Sequence, residues 1–91
     1  MKEETNKTWW SHIPFDGIEG AANIITKSAI KFDEEEGLPG WQNLDDGFYK
    51  YLDALMRHLI EMKKGNRTDE SGFLHSEHLI ANAIILDDIL R

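Results

Sequence analysis

The carboxyl-terminal segment constrains the fold of this chain more than any other. It predicts a helix that runs from about Phe73 or Leu74 to the end of the chain. Its apolar residues surround most of the helix circumference: Ile80, Ala81, Ala83, Ile84, Ile85, Leu86, Ile89 and Leu90. A helix with apolar residues all round is one that packs on more than one side. We therefore expect other helices, from this chain or from a partner chain, to cover it.

Two further helices precede it. The first is predicted to begin near Ile13-Pro14, with Ser11 or His12 as its cap, and to end at about Lys31 or Phe32. Apolar residues at spacings of three and four predict the side of this helix that faces the core. This inward stripe consists of Phe15, Ile18, Ala22, Ile25, Ala29 and Phe32.

The second helix is predicted to open with Asp45 or Asp46 as its cap and to close at Lys63-Lys64-Gly65. It is apolar over a wide arc, because two neighbouring stripes repeat at helical spacing. Their members are Phe48, Tyr51, Leu52, Leu55, His58, Leu59 and Met62.

The connections between the helices are polar, and no segment predicts a strand. Residues 33–40 combine four acids with two glycines and a proline, which predicts an exposed loop. The fold class is therefore all-α: a small three-helix subunit of an oligomeric helical bundle, arranged as a helical hairpin plus one helix or completed by a dimer partner. A chain of 91 residues holds one domain, residues 9–91, after a flexible tail at 1–8. Its core is thin, because so short a chain buries only about 60–65% of its unfolded surface.

Charge and composition exclude several classes of function. A net charge of −7 argues against binding to a nucleic-acid polymer or to an anionic membrane. Without cysteine there is no disulfide and no thiolate zinc site, which points to a reducing compartment. No apolar run fits a signal peptide or a membrane span, so we expect a cytoplasmic protein.

A polar stripe on the third helix is the first candidate site. His75, His78 and Asn82 lie on one helix face, which continues as Ile85 and Ile89. A buried imidazole or carboxamide must find hydrogen-bond partners. The stripe therefore predicts either a satisfied polar network in the core or a ligand cavity between helices.

Cationic side chains on the other two helices match this stripe. Arg57 and His58 lie on the second helix, and Arg57 is four residues from Asp53; Lys27 and Lys31 lie one turn apart on the first. Arginine binds phosphate or carboxylate through its planar fork, although a surface ion pair with Asp53 explains Arg57 equally well. If these residues converge, they form a small cationic pocket for a compact anion such as a nucleotide.

Two aromatic residues are candidates for stacking on a base. Trp41 follows the acidic loop, where it either pins the loop to the core or stacks on a ligand. Tyr51 lies on one of the stripes of the second helix.

Metal binding is weakly indicated. Asp16 and Glu19, three residues apart on the first helix, are the candidate magnesium ligands, but the other helices supply no second clean pair. The pair His75-x-x-His78 lacks a third zinc ligand at a suitable spacing, so His58 would have to come from another helix. We expect no cofactor, unless an enzymatic function requires Mg²⁺.

Several motifs together resemble a known family. They are Tyr51-Leu52-Asp53-Ala54-Leu55-Met56-Arg57-His58-Leu59, Asp69-x-Ser71-Gly72 and His75-x-x-His78-x-x-x-Asn82. From about Trp9 to its end, the chain is similar to small phage proteins of the dATP/dGTP diphosphohydrolase amino-terminal family, relatives of the MazG-like all-α nucleoside-triphosphate pyrophosphohydrolases. The resemblance implies an oligomeric helical bundle that holds a purine nucleotide at Arg57, His58, His75, His78 and Asn82. Catalytic members of the wider class use paired Glu-x-x-Glu and Glu-x-x-Asp carboxylates for magnesium, and this sequence departs from that pattern.

Three functions remain open. The first is an anti-defence sponge, similar to anti-CBASS sponges, that sequesters a cyclic dinucleotide or a related purine nucleotide in the host cytoplasm. The second is a magnesium-dependent purine deoxynucleotide pyrophosphohydrolase, with Asp16, Glu19 and Asp53 or Glu77 at the metal. The third is a helical interaction module. In the first two, the partner is a small nucleotide and the chain is a homo-oligomer, a dimer or a tetramer.

Overall fold

The computed structural model describes residues 7–32, 34, 37 and 39–91, with only the backbone of Asn43. Within these residues there are three α-helices: α1 (Asp16–Lys31), α2 (Gly47–Lys63) and α3 (His75–Leu90). Short 3₁₀ turns, Trp10–His12 and Gly40–Asn43, precede α1 and α2. No strand occurs in this part of the chain, and the one β-type pairing there is an isolated bridge between Thr68 and Leu74. The predicted all-α class is confirmed.

The apolar helix α3 is the centre of the fold. Both α1 and α2 pack along it. Gly17 and Gly20 of α1 lie against Ile80 and Glu77 of α3, so these two helices run antiparallel. In α2, Gly47 lies near Ile89 while His58 contacts His75, so α2 is also antiparallel to α3.

The start of α1 differs from the prediction. Ser11 and His12 belong to a separate 3₁₀ turn and do not cap α1, which begins after Phe15 without a side-chain cap. The reason is Pro14, because its ring disfavours helical geometry in the residue before it. Ile13 is accordingly extended, with ψ 119°, and this separates the turn from the helix.

The face of α1 that packs on α3 also differs from the prediction. Its buried residues are Gly20 and Ala21, whereas Phe15, Ile18 and Phe32 of the predicted inward stripe are 51%, 41% and 65% exposed. Small residues allow a close approach of two helices, and a Cβ atom at Gly20 would lie within 1.8 Å of the Glu77 carboxylate. The small size of these residues, and not their hydrophobicity, therefore determines which face of α1 packs on α3.

The ends of α2 and α3 follow the prediction more closely. Asp46 occupies the N-cap position of α2 without a side-chain cap bond. Gly65 follows its carboxyl end at φ 93°, a conformation that favours glycine. Before α3, Leu74 occupies the N-cap position, and its N–H donates to Glu77 Oε1 at 2.9 Å.

Other predictions concern the loops and the tail. Residues 1–6 of the predicted tail, and Asp33, Glu35, Glu36 and Leu38 of the acidic loop, lie outside the described residues. Trp41 pins the segment before α2, because its indole N–H donates to Asp88 Oδ2 of α3 at 2.8 Å. In the described residues, no helix is both long enough and apolar enough to cross a membrane.

Candidate functional site

Three imidazoles meet where the carboxyl half of α2 faces the start of α3. The Nδ1 atoms of His58 and His75 are 2.7 Å apart. The rings of His58 and His78 are stacked, with centroids 4.3 Å apart and an interplanar angle of 1°. His75 is buried, and the other two rings are half-buried. We call these three residues the imidazole cluster. The antiparallel packing of α2 on α3 creates it, since His58 belongs to one helix and His75 and His78 to the other.

The short contact between His58 and His75 restricts the charge of the cluster. One Nδ1 must donate a proton and the other must accept it, so both rings cannot be doubly protonated while the hydrogen bond exists. Burial lowers the pKa of His58, and the neighbouring His78 and His75 lower it further, against an opposing effect of Asp69. His58 is therefore neutral at pH 7 and gains a proton only at lower pH or beside a bound anion.

Asp69 supplies negative charge at the edge of the cluster. Its Oδ2 lies 2.8 Å from His78 Nε2, but the direction of the ring N–H does not suit a hydrogen bond, and this buried nitrogen has no hydrogen-bond partner within the described residues. Burial would raise the pKa of Asp69, but hydrogen bonds from the Ser71 hydroxyl and backbone N–H outweigh it and lower the pKa. The contact between Asp69 and His78 is therefore electrostatic, and the hydrogen-bonding capacity of this imidazole nitrogen is not used within the described residues.

A lysine from α1 lies near the imidazole cluster, because the lysine and the cluster both contact the same aromatic ring. The Phe73 ring meets His78 edge-on, with centroids 6.1 Å apart. The Nζ atom of Lys27 lies over Phe73, 5.1 Å from its centroid. All three helices thus contribute to the surroundings of the cluster. Lys31, one turn further along α1, lies instead over Phe32, with its Nζ 5.6 Å from that centroid.

Asn82 and Arg57 extend the cluster along the two helices. Asn82 follows His78 by one turn on α3 and is 8% exposed, and its carboxamide makes no hydrogen bond with any residue that the structure describes. Arg57 is exposed next to His58 and forms no ion pair with Asp53 among the described residues. The surface ion pair between Asp53 and Arg57, which was the alternative explanation for Arg57, is therefore not formed. Arg57 and Asn82 both retain hydrogen-bonding capacity for a ligand.

The two aromatic candidates lie away from the imidazoles. Trp41 contacts Asp88, which is ten residues beyond His78 on α3, about 15 Å along the helix axis. Hydrogen bonds from Trp41 and Gln42 lower the pKa of Asp88. Tyr51 is half-buried two turns before His58, and burial, together with the charge of Glu34, raises its pKa. The structure thus does not bring Trp41 together with the imidazole cluster.

The candidate metal ligands do not converge in the described residues. Asp16 and Glu19 are exposed in the first turn of α1. Glu77, from the enzyme hypothesis, accepts the Leu74 N–H with one carboxylate oxygen and packs the other against Gly20. No group of three or more His, Cys, Asp or Glu side chains in this part of the chain is placed to hold a metal ion. The three imidazoles of the cluster therefore do not form such a metal-binding group.

Sequence reasoning missed the roles of Asp69 and Phe73 at the cluster. The sequence places Asp69 only within a family motif, and Phe73 only at the predicted start of the third helix. The spacing Asp69-x-Ser71-Gly72 is a signal for a side-chain turn that fixes the carboxylate, and the structure shows this turn. Nothing in the sequence places Phe73 between Lys27 and His78.

Comparison with known protein families gives a match. A family model described as "dATP/dGTP diphosphohydrolase, N-terminal" matches residues 1–91, the whole chain. Neither the curated proteins nor the solved structures include a significant match to this chain.

Proposed function

Because the chain belongs to the dATP/dGTP diphosphohydrolase N-terminal family, we propose that it binds a purine nucleotide at the imidazole cluster and sequesters it. The observation that carries this proposal is the convergence of His58, His75 and His78 from two helices, with hydrogen-bonding capacity left over. Imidazole N–H groups are suitable donors to phosphate oxygens. A phosphate would also favour the protonated form of His58, whose pKa is lowered in the free protein.

The neighbouring side chains supply complementary contacts. The Arg57 guanidinium suits a phosphate, and Lys27 carries a second positive charge on the α1 side. The buried Asn82 carboxamide has the donors and the acceptor needed to read a base edge. These charges act locally, because screening limits them to about 8 Å at physiological ionic strength, so a net charge of −7 for the whole chain does not oppose the proposal.

The arrangement of the carboxylates supports sequestration of the nucleotide over its hydrolysis. Glu77 caps α3, and among the described residues no three His, Cys, Asp or Glu side chains are grouped so as to hold a metal ion. Magnesium-dependent hydrolysis is the second candidate, and the name of the family favours it. If the chain is phage-encoded, sequestration of a purine-nucleotide immune signal in the host cytoplasm would make it an anti-defence sponge.

Calorimetric titration with dATP, dGTP and a cyclic purine dinucleotide tests the binding. We expect at least one of them to bind, and Arg57→Gln to weaken that binding about 10-fold, the effect of losing one charge-assisted hydrogen bond. His12→Gln is the matched control for His58→Gln, because His12 lies in the 3₁₀ turn before α1. Absence of binding by all three ligands, or equal losses in the two histidine variants, would contradict the proposed site.

Chromatography of the recovered ligand separates the two candidates. After incubation with Mg²⁺ we expect the nucleotide to be recovered intact. Release of pyrophosphate or phosphate would overturn sequestration and support the hydrolase. In that case Glu19→Gln would show whether the acidic end of α1 takes part.

A further inference from the structure

Helix α1 carries a second apolar face that the described part of its own chain leaves largely uncovered. This face, which we call the α1 stripe, consists of Phe15, Ile18, Ala22, Ile25, Ala29 and Phe32. The spacing is three, four, three, four and three, the pattern of a coiled-coil seam. Phe15, Ile18, Ala22 and Phe32 are exposed, and the other two are only half-buried. The side of α1 that packs on α3 is a different one, centred on Gly20 and Ala21.

The subunit as a whole exposes more surface than a monomer of its size normally does. Its accessible surface is 7423 Å², whereas the scaling law for monomeric proteins gives about 5,400 Å² for 10.5 kDa. Its radius of gyration is 15.3 Å, against about 12 Å for a compact domain of this length. No large side chain in the described residues is fully buried. A standard stable interface buries roughly 800 Å² on each partner, and the exposed apolar side chains of α1 are the part of this surface that such an interface would cover.

We propose that the α1 stripe is the interface with a second copy of this chain, and that the two α1 helices pack antiparallel about a two-fold axis. The axis passes between Asn23 and Ile24. Each residue of the stripe then faces a residue of the second copy, and the two residue numbers of every facing pair add up to forty-seven. Phe15 faces Phe32 of the second copy, Ile18 faces its Ala29, and Ala22 faces its Ile25.

The sequence of the stripe is complementary to itself in this orientation. Each isoleucine lies opposite an alanine, so that large and small side chains alternate and interdigitate, as in a packed core. Aromatic pairs close both ends of the seam. In a parallel pair the same positions would face themselves, which places alanine against alanine at two layers and leaves gaps. Self-complementarity of this kind is the requirement of a two-fold interface, and it favours a second copy over an unrelated partner.

The oligomeric state in solution tests whether the α1 stripe is the interface. We expect the wild-type chain to sediment as a dimer or a higher even-numbered assembly at tens of micromolar. Ile18→Glu should weaken that association at least 10-fold, because it places a charge in the seam. Ile30→Glu is the matched control, since Ile30 is 72% exposed on α1 outside the stripe, and it should leave association unchanged. A monomeric wild type, or equal effects of the two variants, would overturn the proposal.

Cysteine crosslinking tests the antiparallel arrangement, because the chain has no cysteine of its own. The double variant Ile18→Cys/Ala29→Cys should form a covalent dimer on oxidation or with a short bis-maleimide. The single variant Ile18→Cys should not, because its two sulfur atoms would be about 16 Å apart along the axis, beyond disulfide reach. Crosslinking of the single variant would show a parallel pair. Absence of crosslinking in the double variant would exclude the stripe as the interface.

Discussion

At the residue scale, the contact between His58 and His75 couples charge to structure. The sequence shows that the histidines share helix faces with apolar residues, but not that two Nδ1 atoms lie 2.7 Å apart. Such a pair needs one unprotonated nitrogen, and the surrounding rings and burial already lower the pKa of His58. Protonation of the cluster therefore works against the fold unless an anion is bound.

We expect acidification to destabilise the ligand-free protein through His58. Because its pKa in the folded state lies below the ordinary value of 6.5, the unfolded chain binds the proton more tightly. The contribution of His58 to stability is therefore complete above pH 6.5 and decreases as the pH falls through 6.5 towards the folded-state pKa. Thermal unfolding between pH 8 and pH 5 measures this effect.

The variant His58→Gln is the comparison for that experiment. It does not titrate, so its melting temperature should fall less over the same pH range. The exposed His12 provides the control, since His12→Gln should reproduce the pH dependence of the wild type. A pH dependence in His58→Gln as steep as that of the wild type would show that another group is responsible.

At the scale of the helices, the contact between α1 and α3 depends on a glycine. Gly20 leaves room for the Glu77 carboxylate, whose other oxygen accepts the Leu74 N–H at the start of α3. One carboxylate thus joins the packing of two helices to the capping of one of them. The amphipathic pattern of α1 indicates a different face, because hydrophobicity does not report how closely two backbones approach.

We expect Gly20→Ala to lower the free energy of unfolding by about 1 kcal/mol, although alanine alone favours a helix over glycine by about the same amount. The new Cβ would force the Glu77 side chain away from Leu74 and so remove the capping bond. In the background Glu77→Ala, the same substitution should instead be stabilising by about 0.5–1 kcal/mol. Urea denaturation of the four proteins measures the sign change, and additive effects would contradict this coupling.

At the scale of the whole molecule, α1 and α2 both pack on α3. Among the described residues the buried apolar ones are few: Ala21, Ala81, Ile85 and Leu86. So small a core provides little stability to an isolated chain. Association through the α1 stripe would supply apolar burial that the single chain lacks.

We therefore expect the melting temperature to depend on protein concentration. Because unfolding would be coupled to dissociation, raising the concentration from 5 to 100 μM should raise the melting temperature by several degrees. The variant Ile18→Glu should melt lower and show a weaker dependence over this range, while Ile30→Glu should behave as the wild type. A concentration-independent wild type would indicate that the monomer is stable without a partner.

The local pattern of residues in the sequence determined much of what could be predicted about this protein. Periodicity predicted three helices, Gly65 predicted the end of α2, and the apolar circumference of α3 predicted that it packs on more than one side. These features depend on neighbours within a few residues, which the sequence displays directly. The motif residues Arg57, His58, His75, His78 and Asn82 were also identifiable, because all five match the motifs of the resembled family, and the last three also recur at helical spacing.

Tertiary structure decided what those residues do. Three imidazoles meet because α2 and α3 pack antiparallel, and Trp41 lies near Asp88, far from them, for the same reason. The face of α1 that meets α3 was decided by the absence of a side chain at Gly20, while the more regular apolar stripe was left uncovered. Such outcomes depend on distances between segments that are far apart in the chain, and a single sequence contains the spacing of residues but not those distances.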